Sequence, residues 1–148
     1  MSEAEPTIEL TDAPQADFTE FLRQGLIEEN RAHLGEWDQR PLALLVHIRN
    51  RLVGGLLAET ARQLLFINYL WITTEYRRQG LGARLLAAAE SEARRRDCQM
   101  AWLDTFDFQA RRFYERCGYT VFGELAGLPN GHRRLFMSKR LDGSTRNP

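Results

Sequence analysis

The feature that most constrains the fold is a strand–loop–helix unit between residues 64 and 96. Leu64–Ile72 is a run of nine residues rich in aromatic and branched side chains, which is typical of a strand. Leu81–Arg96 places apolar residues on one helical face and arginines on the other. Gly80 and Gly82 stand where the loop enters this helix. Because a helix N-terminus has unpaired N–H groups and a partial positive charge, the unit predicts an anion site that would suit a pyrophosphate. The alternative is a glycine-containing turn with solvated arginines, and the short pattern alone does not decide between the two.

The rest of the chain continues the alternation of strands and helices and predicts one mixed α/β sheet domain. Before the strand–loop–helix unit we predict a short strand over Ile8–Leu10 and a helix over residues 15–34 that breaks near Gly25. Two strands follow, Pro41–Ile48 and Leu52–Ala58, joined by a hairpin turn at Arg49–Arg51. After the unit we predict a strand over Met100–Thr105, a helix over Gln109–Cys117, and a closing hairpin of Thr120–Leu125 and Leu135–Met137.

Composition narrows the classes of function. The 148 residues contain 20 Lys+Arg and 20 Asp+Glu, so the net charge of zero gives no sign of a nucleic-acid partner. The longest nearly unbroken apolar stretch is far shorter than the ~18 residues that a membrane span needs. The acidic N-terminus lacks the features of a signal peptide, so we expect a cytoplasmic protein. Cys98 and Cys117 are too few for a disulfide framework.

The charge is neutral only in total. Residues 1–30 contain eight acidic residues and one arginine, a net charge of −7, so the remaining residues carry +7. This asymmetry suits a protein that meets a cation on one side and an anion on the other. The alternative is a set of solvated helix faces, and charge alone favours that alternative.

The loop matches neither of two familiar phosphate-binding patterns. A Walker loop requires lysine, which is absent from it, and the dinucleotide fingerprint requires a third glycine where this chain has Leu85. The chain has a loop of the form Arg-x-x-Gly-x-Gly that opens a helix, then a strand, and then the motif Ala-x-x-Phe-Tyr-x-x-x-Gly-Tyr. This order of motifs resembles that of the GNAT family of N-acetyltransferases over about residues 7–141. The residues that fill the two motifs are Arg77, Gly80 and Gly82, and then Ala110, Phe113, Tyr114, Gly118 and Tyr119.

The resemblance implies a GNAT fold, with a mostly antiparallel sheet flanked by helices. It implies a single domain over residues 1–141 and, as in many relatives, a homodimer, while the polar composition of residues 142–148 predicts a disordered tail. It further implies acetyl-CoA as the acyl donor, no metal, and a primary amine of a small molecule or a protein as the acceptor. No membrane partner is expected.

In this family the strand before the loop splays away from its neighbour, and the pantetheine arm of the cofactor pairs with it. The resemblance therefore implies cofactor contacts from Leu70, Trp71, Ile72, Arg77, Arg78, Gln79, Gly80, Leu81, Gly82, Ala83 and Phe113. Asp107 is a further implied cofactor contact, because it stands where many members have an asparagine that contacts the cofactor arm; aspartate can accept a hydrogen bond there but cannot donate one as an amide does.

Tyr114 matches the family's general acid, which protonates the departing thiolate. The alternative is a core aromatic residue on an amphipathic helix, and both descriptions can hold for one tyrosine. Asp104 is the first candidate for the general base and Glu59 the second, although most single carboxylates are surface or salt-bridged groups. The candidates for binding the acceptor are Glu28 and Glu29, with His33, Trp37 and His132 as further lining residues, and the alternative is a solvated acidic helix face.

The expected reaction is direct transfer in a ternary complex, because neither cysteine has the context of a nucleophile. The alternative function is a non-catalytic acyl-CoA-binding regulatory module on the same fold. A third hypothesis, acetylation of charged tRNA, is disfavoured by the neutral total charge.

Overall fold

A computed structural model describes residues 4–143. They fall into two compact units, one that ends at Trp37 and one that begins at Asp38, and each is described by itself. Of the predicted tail over 142–148, only Asp142 and Gly143 lie among the described residues. The extent of the single domain, residues 1–141, stays a prediction.

The first unit contains one helix, α1, over Ala16–Leu34. The predicted strand over Ile8–Leu10 is wrong, since these residues are irregular and both apolar side chains are almost fully exposed. The predicted break near Gly25 is also wrong. A glycine inside a helix costs about 1 kcal/mol relative to alanine, which is too little to interrupt so long a run. The helix ends instead at Gly35, whose φ of 73° is one that glycine tolerates.

The second unit contains a six-stranded sheet in the order β1-β2-β3-β4-β6-β5. Its strands are β1 Arg40–Ile48, β2 Arg51–Ala61, β3 Leu64–Ile72, β4 Met100–Phe106, β5 Thr120–Leu125 and β6 Arg134–Arg140. Every neighbouring pair is antiparallel except β3 with β4. The prediction of a mixed, mostly antiparallel sheet is therefore confirmed.

Two-residue turns join the first three strands. Arg49 and Asn50 have φ angles of 50° and 64°, and the next turn, Arg62–Gln63, has 51° and 68°. Left-handed residues at both central positions suit the right-handed twist of a hairpin. The first turn is thus one residue shorter than the predicted Arg49–Arg51.

The helices of the second unit cover one face of the sheet. They are α2, over Leu81–Arg95, and α3, over Arg111–Arg116. A 3-10 turn over Thr74–Tyr76 precedes α2. The apolar face of α2 joins one buried cluster with Leu65, Ala101 and Leu103 of β3 and β4; it consists of Leu85, Leu86, Ala89 and Ala93. No helix within residues 4–143 has both the length and the apolar character to cross a membrane.

The divergence of β3 from β4 is the feature that positions the site. The two strands pair only from Leu64 to Phe66, opposite Met100 to Trp102. Just beyond, the register of β3 with β2 shifts between Ile67 and Tyr69, which places Asn68 in a bulge. A bulge bends its strand and increases the local twist. From Ile67 onward, β3 therefore has no hydrogen-bonded partner on its β4 side.

The core that supports this sheet yields a stability prediction. Leu103 is 1% exposed, whereas Leu45 on β1 is 62% exposed. Leu103→Ala should lower the free energy of unfolding by about 2–5 kcal/mol, since it removes buried contacts and leaves a cavity. Leu45→Ala should change it by about 0.5 kcal/mol or less. Urea unfolding measures both, and equal losses in the two variants would contradict the assignment of the core.

Candidate active site

A cavity of about 850 Å³ opens beside the C-terminal end of β3. The end of the strand, the following loop, the start of α2 and one face of α3 surround it. Its lining residues are Leu70, Trp71, Ile72, Tyr76, Arg77, Arg78, Gly80, Leu81, Gly82, Ala83, Gln109, Ala110, Phe113, Tyr114 and Arg116. The cavity thus lies where β3 has lost its partner strand and α2 begins.

The structure brings most of the predicted site residues to this one cavity. All the predicted cofactor contacts line it except Gln79 and Asp107, and so does Tyr114. Four lining residues were not predicted as site residues: Tyr76, Gln109, Ala110 and Arg116. Arg116 follows Phe113 by three residues, so helical spacing on α3 is a signal that would have found it.

The first turn of α2 presents backbone donors to the cavity. Gly80 precedes the helix with φ 78° and no side chain caps this end, so the N–H groups of Leu81, Gly82 and Ala83 have no partner inside the helix. A Cβ atom at Gly82 would lie only 3.0 Å from Cζ of Phe113. The glycine therefore allows α2 to approach α3 closely, and the helix dipole adds a partial positive charge at this point.

Arg77 connects the loop to the end of β3. Its Nε atom donates a hydrogen bond to the carbonyl oxygen of Ile72 at 2.8 Å, and its guanidinium lies 5.9 Å from the ring centre of Trp71. The side chain thus fixes the end of the splayed strand while it keeps a positive charge at the cavity. Arg78, with φ 62°, adds a second positive charge to the lining.

Tyr114 is buried where α3 meets the cavity. Its ring makes edge-to-face contacts with Phe113, at 5.1 Å between centroids, and with Tyr119, at 5.9 Å. Desolvation, together with nearby Cys117, raises the pKa of Tyr114 to about 12. The phenol therefore keeps its proton at neutral pH and can act as a hydrogen-bond donor or an acid. The description as a core aromatic and the description as a cavity residue both apply to it.

Asp104 lies outside the cavity lining. Along β4 it alternates with the buried residues Leu103 and Thr105, so it points to the other face of the sheet. Its Oδ1 atom accepts a hydrogen bond from Nε of Arg134 at 2.9 Å. This ion pair is the salt-bridged alternative that the sequence left open. The role of Asp104 as a general base stays a prediction.

Asp107 connects two loops and does not line the cavity. Its Oδ2 accepts from the backbone N–H of Arg133 at 3.0 Å, and its Oδ1 lies 3.2 Å from Nδ1 of His132. Desolvation acts to raise the pKa of Asp107, but these two hydrogen bonds, together with electrostatic attraction from His132 and Arg133, hold the pKa below its usual value. The ring of His132 in turn contacts Phe108 at 4.6 Å between centroids.

The other predicted site residues are placed as follows. Glu28 and Glu29 are exposed on α1, where Glu28 pairs with Arg31 at 3.2 Å. His33 is exposed near the end of the same helix, and Trp37 is half-buried. Glu59 on β2 accepts a hydrogen bond from the side-chain amide of Gln39. Their roles toward an acceptor or as a base stay predictions.

Comparisons with known proteins agree with this geometry. The family model described as the acetyltransferase (GNAT) family matches residues 7–119. Acetyltransferase Atu2258 of Agrobacterium fabrum is 38% identical over 132 residues, which are 88% of this chain and 96% of that protein. Blasticidin-S acetyltransferase of Streptomyces morookaense is 37% identical over 94 residues, 63% of this chain and 69% of that protein.

A solved structure extends the agreement to the fold. The crystal structure of an acetyltransferase from Agrobacterium tumefaciens has a TM-score of 0.83 and 37% sequence identity, and the match covers 91% of this chain and 99% of that chain. The loop that opens α2 and the second motif on α3 both lie within residues 7–119, which the family model matches. The chain is therefore a member of the GNAT family of acetyltransferases.

Proposed function

We propose that this protein transfers the acetyl group of acetyl-CoA to a primary amine, directly and within a ternary complex. The observation that carries the proposal is the single cavity in which the unpaired edge of β3, the first turn of α2 and Tyr114 meet. Each of the three suits a different part of the cofactor. The reaction needs all three at once, which explains why they surround one space.

The cofactor would bind by its two polar portions. The pantetheine amides would pair with the backbone of Leu70–Ile72, which has lost β4 as its neighbour, as an added strand pairs with an open edge. The pyrophosphate would accept hydrogen bonds from the N–H groups that open α2. Arg77 and Arg78 supply positive charge beside it.

In the transfer step the amine nitrogen attacks the thioester carbonyl carbon. The C–N bond forms, a tetrahedral oxyanion develops, and the C–S bond then breaks. Unpaired N–H groups of β3 would stabilise the oxyanion. The amine proton leaves to a carboxylate or to water held by one, with Asp104 and Glu59 as the proposed candidates, and the CoA thiolate takes a proton from Tyr114.

The raised pKa of Tyr114 is compatible with this role. A thiolate released inside the cavity is desolvated as well, which raises the pKa of its conjugate thiol. Because both pKa values are raised, the gap between the pKa of the Tyr114 phenol and that of the CoA thiol is smaller than the raised pKa of the phenol would suggest on its own. Burial also raises the pKa of the Cys117 thiol, which favours direct transfer over an acyl-cysteine intermediate.

The acceptor is proposed to be the amine of a small molecule. A relative that acts on blasticidin-S supports this class, and an acidic α1 that includes Glu28 and Glu29 would favour a cationic acceptor. A panel of amines, assayed for CoA thiol release from acetyl-CoA, tests the proposal. Tight acetyl-CoA binding with no release for any amine would favour the non-catalytic module.

A bulky side chain at Gly82 should weaken cofactor binding. Gly82→Trp would place its ring against Phe113 and block the first turn of α2, so the Kd for acetyl-CoA should rise at least about tenfold. Gly123→Trp is the matched control, because a Cβ at Gly123 meets open space outside the cavity lining. Titration calorimetry measures both, and unchanged affinity in Gly82→Trp would contradict the proposed location.

Removing the hydroxyl of Tyr114 should slow turnover without loss of the cofactor. In Tyr114→Phe the ring contacts remain, so kcat should fall by about 10²-fold or more, as loss of a general acid does, while the Kd for acetyl-CoA stays within about twofold. Tyr69→Phe, which alters an exposed tyrosine outside the cavity lining, should keep the original kcat. Equal kcat in all three proteins would reduce Tyr114 to a packing residue.

The pKa of Tyr114 also predicts a pH dependence. Burial raises this pKa to about 12, so the acid form persists well above the usual pKa of about 10. The rate should therefore show no fall between pH 7 and about 10 that depends on Tyr114. The same shift means that ionisation of Tyr114 in the unfolded chain lowers stability only above about pH 10. The measurement is the pH–rate profile of both proteins. A descending limb below pH 10 that is present in the original protein and absent in Tyr114→Phe would contradict the prediction for the rate.

A further inference from the structure

A buried carboxylate on α2 has no part in the transfer described above. Glu90 is 4% exposed, yet both of its oxygens are satisfied. Its Oε1 accepts from Nζ of Lys139 on β6 at 2.7 Å, and its Oε2 accepts from the hydroxyl of Tyr119 at 2.9 Å. We call Glu90, Lys139 and Tyr119 the Glu90 network. It connects α2, β6 and the residue that precedes β5.

Stability alone is a weak reason for such a network. Burying two opposite charges costs desolvation energy, and apolar residues of similar volume often stabilise a core equally well. A charge pair does, however, fix directions and distances more sharply than apolar packing. The location of the Glu90 network beside Tyr114 indicates which side chain it would hold in place.

The lysine of the network fits its position closely. It is the single lysine among 20 Lys+Arg residues of the chain. Its stem passes over Gly118, where φ is 97° and a Cβ would lie 3.2 Å from Cε of Lys139. A compact ammonium group can reach one carboxylate oxygen through this space, whereas the planar fork of an arginine is wider. The site therefore selects for lysine in a chain that otherwise uses arginine.

Tyr119 joins the network to Tyr114. Its buried ring makes an edge-to-face contact with the ring of Tyr114, at 5.9 Å between centroids and 71° between planes. Its backbone N–H donates to the carbonyl oxygen of Tyr114 at 3.0 Å. The helix α3 that carries Tyr114 has six residues, too few to hold a helix by its own hydrogen bonds. The orientation of Tyr114 thus depends on what surrounds it.

We propose that the Glu90 network positions the hydroxyl of Tyr114 for proton donation to the CoA sulfur. Lys139 holds the carboxylate of Glu90, Glu90 accepts from the hydroxyl of Tyr119, and the ring of Tyr119 then supports the ring of Tyr114. All three act as positioning residues. The proposal rests on the function given above, in which Tyr114 is the general acid. None of the three residues lines the cavity, so the proposal is that residues outside the cavity also determine the rate.

The variant Tyr119→Phe tests the proposal because it removes one hydrogen bond and keeps the ring. We expect kcat to fall about tenfold, a part of the 10²–10⁴ that a general acid contributes. The KM for acetyl-CoA should change by less than about twofold, because the first turn of α2 is untouched. A distorted cofactor site would instead raise KM together with the loss in kcat, and the folded fraction of the variant, measured by circular dichroism, shows whether loss of active enzyme accounts for the fall.

A double-mutant cycle with Tyr114→Phe distinguishes positioning from packing. Once the hydroxyl of Tyr114 is gone, its orientation no longer matters, so Tyr119→Phe should cause no further fall in kcat. An equal fall in both backgrounds would overturn the proposal, and so would an unchanged kcat in Tyr119→Phe alone. If Tyr114→Phe itself keeps the original kcat, the proposed acid role fails and the positioning proposal fails with it.

Glu90→Gln is the second variant, to be used in the same cycle if Tyr119→Phe does not fold. Its amide keeps the shape of the side chain but loses the charge that pairs with Lys139. The matched control is Glu92→Gln on the same helix, where Glu92 forms ion pairs with Arg95 and Arg96. We expect kcat to fall in Glu90→Gln and to stay unchanged in Glu92→Gln; equal values in the two would overturn the proposal.

Discussion

The divergence of β3 from β4 is the constraint on which the rest of the site depends. Strands that stay paired use their N–H and C=O groups on each other, whereas β3 keeps those of its second half free on one side. The bulge at Asn68 makes this divergence compatible with continuous pairing to β2, since it re-aims the strand without ending it. A full β3–β4 ladder would close the space in which the cavity lies.

An open edge inside a sheet must be supported by contacts elsewhere. Here the apolar face of α2 packs across β3 and β4, and Arg77 fixes the carbonyl of Ile72 at the end of the open segment. The edge-to-face contact of Tyr114 with Tyr119, which lies outside α3, secures the short helix on the other side. The same groups that keep the opening from collapsing thus present the donors and the phenol to it.

The sequence indicates the elements of this site more clearly than their geometry. The nine residues of β3 can be predicted from their apolar character, and the start of α2 at Leu81 can be predicted from the glycines at the entry to the helix. Both features depend on local sequence. The extent of β3–β4 pairing depends on residues far apart in the chain, so no local pattern predicts it, and only the family resemblance implies that the strands diverge. Ile8–Leu10 has the composition of a strand but no neighbour to pair with, and propensity without a partner gave a wrong prediction.

Asp107 shows how a departure from a family pattern can follow from a neighbouring loop. Its two oxygens accept from the N–H of Arg133 and lie near His132, and its own N–H donates to the carbonyl of Arg133. An asparagine there has one acceptor oxygen, which could accept from the N–H of Arg133, and its NH₂ group could then donate to His132 only in the tautomer that leaves Nδ1 unprotonated. The carboxylate instead accepts from both neighbours when Nδ1 of His132 carries the proton. A cofactor arm in the cavity would then rely on the backbone of β3 and the first turn of α2, the two elements whose donors are free.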